Sequence, residues 1–529
     1  MRTLLLTLAF LLIPVAGIAQ TADEGAKTFT ILHTNDLHGR HAPFEVTSED
    51  ATSQTGDPGG RPADTVFRRT GRIGGFGRQA TVVDSIRQAR GDDNTLLVNA
   101  GDTFADDLLG ERTGGRAVIE LMNALDYDFM ALGNHDFDYG VDQTRTLQEV
   151  ADFPMRGANV LLEGTGEPFG GDPTMLFEKN GLGVGLLAMS YHNTPWTAGA
   201  GMIRGLRYIG PVEAAKRHLP DLQDRSDVVV VVSHLGTAAD RELAREVDGI
   251  DIIVGGHSHN HITAPERVNG TWILEALSDG GVLGELRVTT NENGEVTDVN
   301  QKLHMLWTDQ VEPDPAVANM VDSLRAPHED VLEEVLTRVP EPIARDYKSE
   351  SAFEALTGEI MIEETGAEVA FQPGIGYGVT IGPGPVTRED LYTLIPHPAR
   401  LATVELTGAQ ILSVLEQSAM NLKPADRTRI VGGLVQTAGM SWTIDYTRPM
   451  GTRIRDVEVN GEPIEPTRFY DVVTHSGLIQ GTHRYEAFSQ GRNLQQTNRM
   501  LNDLVEDYMK EHEQLDMPPL GKIRVIQDE

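Results

Sequence analysis

The sequence predicts a layered α/β domain followed by a smaller α+β domain, joined by a connector helix. Three observations carry that expectation. From Phe29 to about Leu306, short apolar runs alternate with helical stretches, the pattern of strand–helix units packed in layers. Most of those runs end in or beside Gly, Asn, Asp or His, which puts polar residues at the carboxyl ends of strands, where open α/β sheets bind ligands. The chain has 529 residues, more than one hydrophobic core usually serves, so it divides into two domains.

Residues 1–19 read as a secretory signal peptide. Arg2 is the only charge, an apolar run from Leu4 to Leu12 follows, and Gly17 and Ala19 fit the small-x-small cleavage rule. That run is too short to span a bilayer, and no later stretch approaches the roughly 18 apolar residues a membrane helix requires, so no membrane span is expected.

The first domain is expected over residues 26–306. FTILHT, NTLLVNA, FMALG, VGLLAMS, DVVVVVSH and IDIIVGG are its strand-like runs. Gln79 to Gln88, Ala117 to Leu125 and Pro211 to Leu219 fit helices between them. Asn269-Gly270 and Asn293-Gly294 mark two hairpins, because both residues of a tight hairpin turn need positive φ. Phe44 to Thr70 lacks periodicity and is rich in Gly, Pro, Asp and Thr, so it reads as a long loop.

The connector and hinge are expected over residues 307–346. Pro313 to about Val339 has helical spacing (Val317, Met320, Val321, Leu324, then Val331, Leu332, Val335, Leu336), and Pro340 and Pro342 end it. The second domain is expected over residues 347–526. It carries helices at Ala352 to Glu364 and Gly408 to Asn421 and a hairpin at Asn460-Gly461.

Composition narrows the function. A net charge of -35 excludes nucleic-acid polymers and anionic lipid as partners, because both demand a basic surface. Small anions are also repelled at long range, so binding one would require a local positive field. The chain has no cysteine and hence no disulfides, which leaves an exported protein to rely on its core. Composition leaves the oligomeric state open. The expected location is periplasmic or secreted.

Five islands carry the chemistry: HTNDLHG, NAGDTF, LGNHDFD, VSHLG and GGHSH. They hold Asp36, His38, Asp102, Asn134, His234, His257 and His259, a mixture of imidazoles, carboxylates and one amide oxygen. That donor set suits borderline divalent ions: zinc, manganese, iron or cobalt. Asp36 and His38 stand at alternate positions past a strand and can face one ion, while Asp102, in a sharp turn, can bridge two cations with its two oxygens. His257 and His259 likewise alternate after two glycines, which let the backbone come close. In the third island, Asn134 can ligate while His135 points elsewhere as an acid, held protonated by Asp138 three residues on. Taken singly, each island also reads as a turn, a helix cap or a core histidine. Five in succession, each after a strand, point to two metal ions.

Together these residues form the pattern D-x-H … G-D … G-N-H-[ED] … H … G-H-x-H, and the chain resembles the calcineurin-like metallophosphoesterases. More closely it resembles the exported 5′-nucleotidase family, including bacterial periplasmic UDP-sugar hydrolases/5′-nucleotidases, over nearly the whole mature chain. The resemblance implies a four-layer metallophosphoesterase β-sandwich flanked by helices, with an α+β C-terminal substrate domain. It implies one ion on Asp36, His38, Asp102 and His259, and a second on Asp102, Asn134, His234 and His257, with Asp102 bridging. His135, oriented by Asp138, would stabilise the transition state or protonate the leaving oxygen, and metal-bound water or hydroxide would attack phosphorus in line. The C-terminal domain would hold the nucleoside and rotate about the connector.

The C-terminal half departs from the family. Where an N-x-G-G-I-R motif usually supplies an arginine, this chain reads Phe371-Gln372-Pro373-Gly374-Ile375-Gly376. Where a phenylalanine precedes G-G-D-G-Y, only Gly481 and Tyr485 match, and Gly477 takes the aromatic's place. The other stacking region, Gly432 to Gly439, offers Leu434 and no ring. Arg429 and Tyr485 are the substrate-binding candidates, with Arg400 and Trp442 as further members of a different pocket, although Trp442 and Tyr485 read more readily as core residues than as a substrate platform. The expected function is therefore release of phosphate from nucleoside monophosphates or related small phosphoesters. The alternatives keep the metal centre and change the ester to a sugar phosphate, a cyclic nucleotide or a thiosulfohydrolase-type sulfur ester, or keep the metals without turnover in a binding protein.

Overall fold

Two β-sheets stacked face to face form the centre of the N-terminal half. The computed structural model describes residues 25–527 apart from 49, 52–65, 106, 376–379 and 398. The expected signal peptide and most of the expected 44–70 loop lie outside the described residues.

In the first sheet Lys27–Thr34, Thr95–Asn99, Phe129–Ala131 and Met155–Leu162 run parallel, and Val282–Thr290 and Val296–Met305 add an antiparallel hairpin beside Lys27–Thr34. In the second, Leu182–Met189, Val228–Ser233, Ile252–Gly255 and Thr271–Leu274 run parallel. Period-two alternation assigns each strand's two faces. Phe29, Ile31, Leu96 and Val98 meet Val184, Leu186, Val230 and Val232 between the sheets. On the outer face of the first sheet, Leu32, Leu97 and Met130 pack on Val83 and Ile86 of the helix Phe76–Arg90 and on Val118 and Met122 of the helix Arg116–Ala124. On the outer face of the second, Leu187, Val229 and Ile253 pack on Leu219 of Pro211–Gln223 and Leu243 of Thr237–Glu246. The result is the expected helix–sheet–sheet–helix stack. A strand such as Val228–Ser233 is buried along its whole length because it is covered on both faces, each valine contributing about 1.5–3 kcal/mol.

The strand register positions the polar islands. Thr34 is level with Asn99, Asn99 with Met130, and Ser233 with Gly255, so the strands end together on one side of the stack. Both sheets deliver their loops to the same rim.

The connector departs from the expected single helix. Asp314 caps a helix at Pro315–Arg325, a 3-10 turn follows at Ala326–His328, and a short helix covers Glu329–Leu332. Pro327 has no N–H to give and its ring crowds the preceding turn, so the regular helix ends before it. Val335–Val339 is a strand paired antiparallel with Gly384–Thr387, and Leu336 and Val339 join the C-terminal core. Those residues fit a strand because the β-branched Val335, Thr337 and Val339 pack on a pleated surface more readily than in a helix.

The C-terminal half has a five-stranded sheet in the order Gln436–Ala438, Val369–Gln372, Phe469–His475, Arg400–Thr407, Arg492–Met500. Helices Ala352–Thr365, Gly408–Leu422 and Leu501–Glu511 pack with it. The Asn460-Gly461 hairpin joins Ile454–Val459 to Glu462–Pro463 as expected. Of the 44–70 loop, Phe44–Val46 pairs with Gly71–Ile73, and Asp50 accepts a hydrogen bond from Thr380 of the C-terminal half.

Candidate metal centre

Each of the seven candidate ligands sits within a few residues of a strand end on the common rim. Asp36 and His38 follow Lys27–Thr34, Asp102 follows Thr95–Asn99, and Asn134 follows Phe129–Ala131. His234 directly follows Val228–Ser233, and His257 lies two residues past Ile252–Gly255. The loops are tied together by the backbone: Asp36 N–H donates to Gly101 O at 2.9 Å and His38 N–H to Asp102 O at 3.0 Å.

Five of the seven (Asp36, His38, Asp102, His257 and His259) hold positive φ, between 47° and 72°. Asp and His tolerate this region better than most residues, yet each costs energy, and such strain persists only where surrounding contacts over-determine it. Gly133 shows how tight the contacts are. A Cβ there would lie 2.0 Å from Asp102 Oδ1 and 2.5 Å from Asp102 N.

The ligand atoms fall into two clusters. In the first, Asp36, His38 and His259 bring their atoms within 4.8 Å of one another, His38 Nε2 lying 3.1 Å from His259 Nε2 and His259 Nε2 3.3 Å from Asp36 Oδ1. In the second, Asp102, His234 and His257 do the same, with His234 Nε2 at 2.9 Å from Asp102 Oδ2. Asn134 Oδ1 is buried and has no hydrogen-bond partner among the described residues. Two buried carboxylates, converging imidazole nitrogens and an orphaned amide oxygen are what cations compensate, so these residues fit two divalent ions.

Electrostatics agrees. Burial alone would raise Asp36, but His259 and His234 outweigh it and hold it down to about 2. Burial, aided by His234, holds His257 well below the usual imidazole range, so its ring is neutral, the form in which an imidazole can ligate. Burial opposes the charged form of His234, but Asp102 and Asp36 overcome it and raise this ring to about 9. A cation must therefore displace a proton from His234.

Residues behind the ligands fix their positions. His234 Nδ1 donates to Ala100 O at 2.6 Å, which turns Nε2 toward Asp102. Asp136, inside the third island but assigned no role from sequence, accepts from the backbone N–H of Asp102, Thr103 and Gly133 at 3.0, 2.8 and 2.8 Å, clamping two loops. Glu275 accepts from Ser258 Oγ at 2.9 Å and Asn260 N at 2.9 Å, holding the His257–His259 loop. Asp136 stood in view beside His135. Nothing in the sequence near Glu275 marks it.

His135 Nδ1 donates to Asp138 Oδ2 at 2.8 Å, and the His135 backbone N–H donates to Asp102 Oδ1 at 2.7 Å. The second domain adds a residue that sequence reasoning missed: His397 Nε2 lies 3.1 Å from His135 Nδ1. It stands alone between prolines in IPHP, with no motif to reveal it.

A cavity of about 190 Å³ separates this rim from the C-terminal half. His38, Asp102, Asn134, His135, Asp138, His257 and His259 line one wall, and Arg345, Phe353, Glu354, His397, His475 and His483 line the other. The expected substrate residues lie elsewhere. Tyr485 is 1% exposed, packed near Phe488 in the C-terminal core, and Arg429 is exposed on a 3-10 turn. The left-handed backbone of His483 and Arg484 gives the cavity His483 and leaves Tyr485 inside. Trp442 is also core, its indole N–H donating to Thr437 Oγ1 at 3.0 Å, and Arg400 is exposed off the cavity. Of the stretch Phe371 to Gly376, Gln372, Pro373 and Ile375 line the cavity, and Gly376 lies outside the described residues.

The chain is similar to known proteins over most of its length. The family model for calcineurin-like phosphoesterase matches residues 29–261, and the model for the 5′-nucleotidase C-terminal domain matches residues 334–490. The trifunctional nucleotide phosphoesterase protein YfkN of Bacillus subtilis is 25% identical over 518 residues, spanning 88% of this chain but only 33% of its own length. The crystal structure of a 5′-nucleotidase precursor from Thermus thermophilus matches with a TM-score of 0.83 and 25% identity, covering 95% of this chain and 100% of its own. The sulfate thiohydrolase SoxB of the same genus shares the fold, with a TM-score of 0.84 at 23% identity, covering 94% of this chain and 97% of its own.

Proposed function

We propose that this chain, which belongs to the calcineurin-like phosphoesterase family and carries a 5′-nucleotidase C-terminal domain, is a dinuclear-metal phosphomonoesterase that releases phosphate from nucleoside monophosphates or related small esters. The observation that carries this reading is the convergence of both ligand clusters with the His135–Asp138 pair on one wall of one cavity. Asp36, His38, Asp102 and His259 would hold one ion, and Asp102, Asn134, His234 and His257 the other. Zinc, manganese, cobalt and iron all suit that donor set.

Two such ions, when bound, neutralise phosphoryl oxygens and lower the pKa of water to near neutrality. The protein supplies the rest. Asp138 accepts from Nδ1 of His135 and fixes the ring, so that Nε2 can give a proton to the leaving oxygen as the ester P–O bond breaks. The opposite wall, brought by the C-terminal half, excludes water and holds the organic part of the ester. We place the C-terminal unit from the strand Val335–Val339 onward and read residues 1–19 as the signal of an exported protein, periplasmic or secreted. No helix among the described residues is long and apolar enough to cross a membrane.

A second reading keeps the chemistry and changes the ester. It is favoured by the C-terminal wall, where Leu434 is buried in the core and Gly477 stands in the place of a stacking ring. Purified protein loaded with Mn²⁺, Co²⁺ or Zn²⁺ and screened on AMP, UMP, cyclic nucleotides, UDP-glucose, sugar phosphates and an aryl phosphate decides between them. Aryl phosphatase activity with none on any nucleotide sinks the nucleotidase reading.

A further inference from the structure

Glu354 lines the cavity on the wall opposite the metal residues, 1% exposed, and its Oε2 has no hydrogen-bond partner among the described residues. Its other oxygen is engaged: Oε1 accepts from Arg345 Nε at 3.1 Å and from Arg345 Nη2 at 2.6 Å. Arg345 Nη1 donates in turn to Leu394 O at 2.8 Å, so each guanidinium nitrogen has a partner within the protein. Glu354 Oε2 is the oxygen of the pair left without a donor among the described residues. The carboxylate is also rigidly placed. Glu354 stands in the first turn of Ala352–Thr365, whose N-cap is Ser351, and Gln372 Nε2 donates to the Glu354 carbonyl at 2.7 Å.

A buried charged oxygen without a donor is costly, and proteins keep one where a ligand supplies the donor. We propose that Glu354 is a specificity-determining residue of this cavity, its Oε2 accepting a hydrogen bond from an N–H or O–H on the organic half of the phosphoester. This rests on the phosphohydrolase reading and deepens it: the substrate carries a donor at the end remote from phosphorus. Two sources share that chemistry, the exocyclic amino group of a nucleobase and a sugar hydroxyl. A site built around a hydrogen bond rejects an analogue that lacks it, because the analogue leaves the buried oxygen unpaired.

The test compares esters that differ in that donor, using metal-loaded full-length protein assayed well above neutral pH. Burial raises Glu354 to about 7, against the pull of Arg345, and the carboxylate is ionised above that value. AMP against purine riboside 5′-monophosphate reads the amino group. AMP against its 2′,3′-dideoxy analogue reads the ribose hydroxyls, and glucose 1-phosphate against cyclohexyl phosphate reads those of a hexose. In the wild type the donor-bearing member of at least one pair is favoured by about tenfold or more in kcat/KM. Glu354→Gln keeps the shape, and its amide oxygen keeps Arg345, which puts an NH₂ group where Oε2 was. The preference then collapses toward one, as it does in Glu354→Ala. Calorimetric binding of adenosine or glucose reads the same subsite without turnover and guards against a variant that folds poorly. Selectivity that persists in Glu354→Gln, or that is absent from every pair, overturns the proposal. Wild-type hydrolysis of p-nitrophenyl phosphate with no Glu354-dependent selectivity rejects this inference alone and spares the phosphohydrolase reading.

Discussion

Tyr191 lies almost flat against His257, ring centroids 3.7 Å apart and planes 28° apart, while its hydroxyl donates to the carbonyl of Ile430 in the C-terminal half. One side chain thus packs on a candidate metal ligand and ties the two halves together. Neighbouring contacts reinforce the junction, since His192 Nε2 and Asn193 Nδ2 both donate to Thr428 O, at 3.0 and 2.8 Å. Tyr191→Ala is expected to weaken metal affinity about tenfold, the usual cost of losing a residue that orients a ligand. Tyr191→Phe keeps the stack and should keep the metal. Equal metal loss in both variants, measured by elemental analysis after dialysis, would show that the hydroxyl and not the ring positions His257.

His135→Ala should lower turnover by about 10²–10⁴-fold while bound metal stays nearly unchanged, because in the proposed mechanism the ring would transfer a proton and not ligate. Loss of both metals in that variant would make His135 a ligand instead.

Asp102→Asn should empty both sites together. In the proposed assignment this carboxylate would serve both ions; in the structure it gathers with His234 and His257, Oδ2 lying 2.9 Å from His234 Nε2. Two metals at full occupancy in the purified variant would rule out bridging.

Gly133→Ala should abolish activity although Gly133 is itself no ligand. The added methyl meets Asp102 Oδ1 at 2.0 Å and the Asp102 backbone N at 2.5 Å, and neither can yield without moving Asp102. A variant with wild-type metal content and turnover would mean that the two loops are far more compliant than their contacts imply.

Acid should destabilise the protein through His33. This ring is wholly buried in Lys27–Thr34, and burial lowers its pKa from 6.5 to about 3. The folded ring stays neutral where the unfolded one takes a proton, so stability rises with pH across that window and is lost as pH falls from 6.5 toward 3. Each pH unit inside the window is worth about 1.4 kcal/mol, so His33 costs about 2 kcal/mol by about pH 5. Urea unfolding of metal-depleted His33→Asn should depend less steeply on pH than the wild type, and identical slopes would remove His33 as the cause.

The sequence by itself determined the catalytic half. Apolar runs ending in Asp, Asn or His showed the strands and a layered α/β arrangement, while the stack of two sheets was what the family resemblance implied and the structure shows. The ligands were legible because each stands within a few residues of a strand end, so local spacing already implied convergence. Asp138 was legible for the same reason, three residues from the ring it orients. Tertiary structure alone decided what lies across the cavity. His397 comes within 3.1 Å of His135 from 262 positions away, and the Arg345–Glu354 pair faces the metal rim across the cavity. Tyr485, which matched a family motif, turned out to be core, and Val335–Val339, which kept a helical spacing, became a strand. Local periodicity reports which residues are apolar, and it is silent about which surfaces the chain later brings face to face. The candidate metal residues are encoded locally, and the wall that faces them is assembled only where two distant surfaces meet.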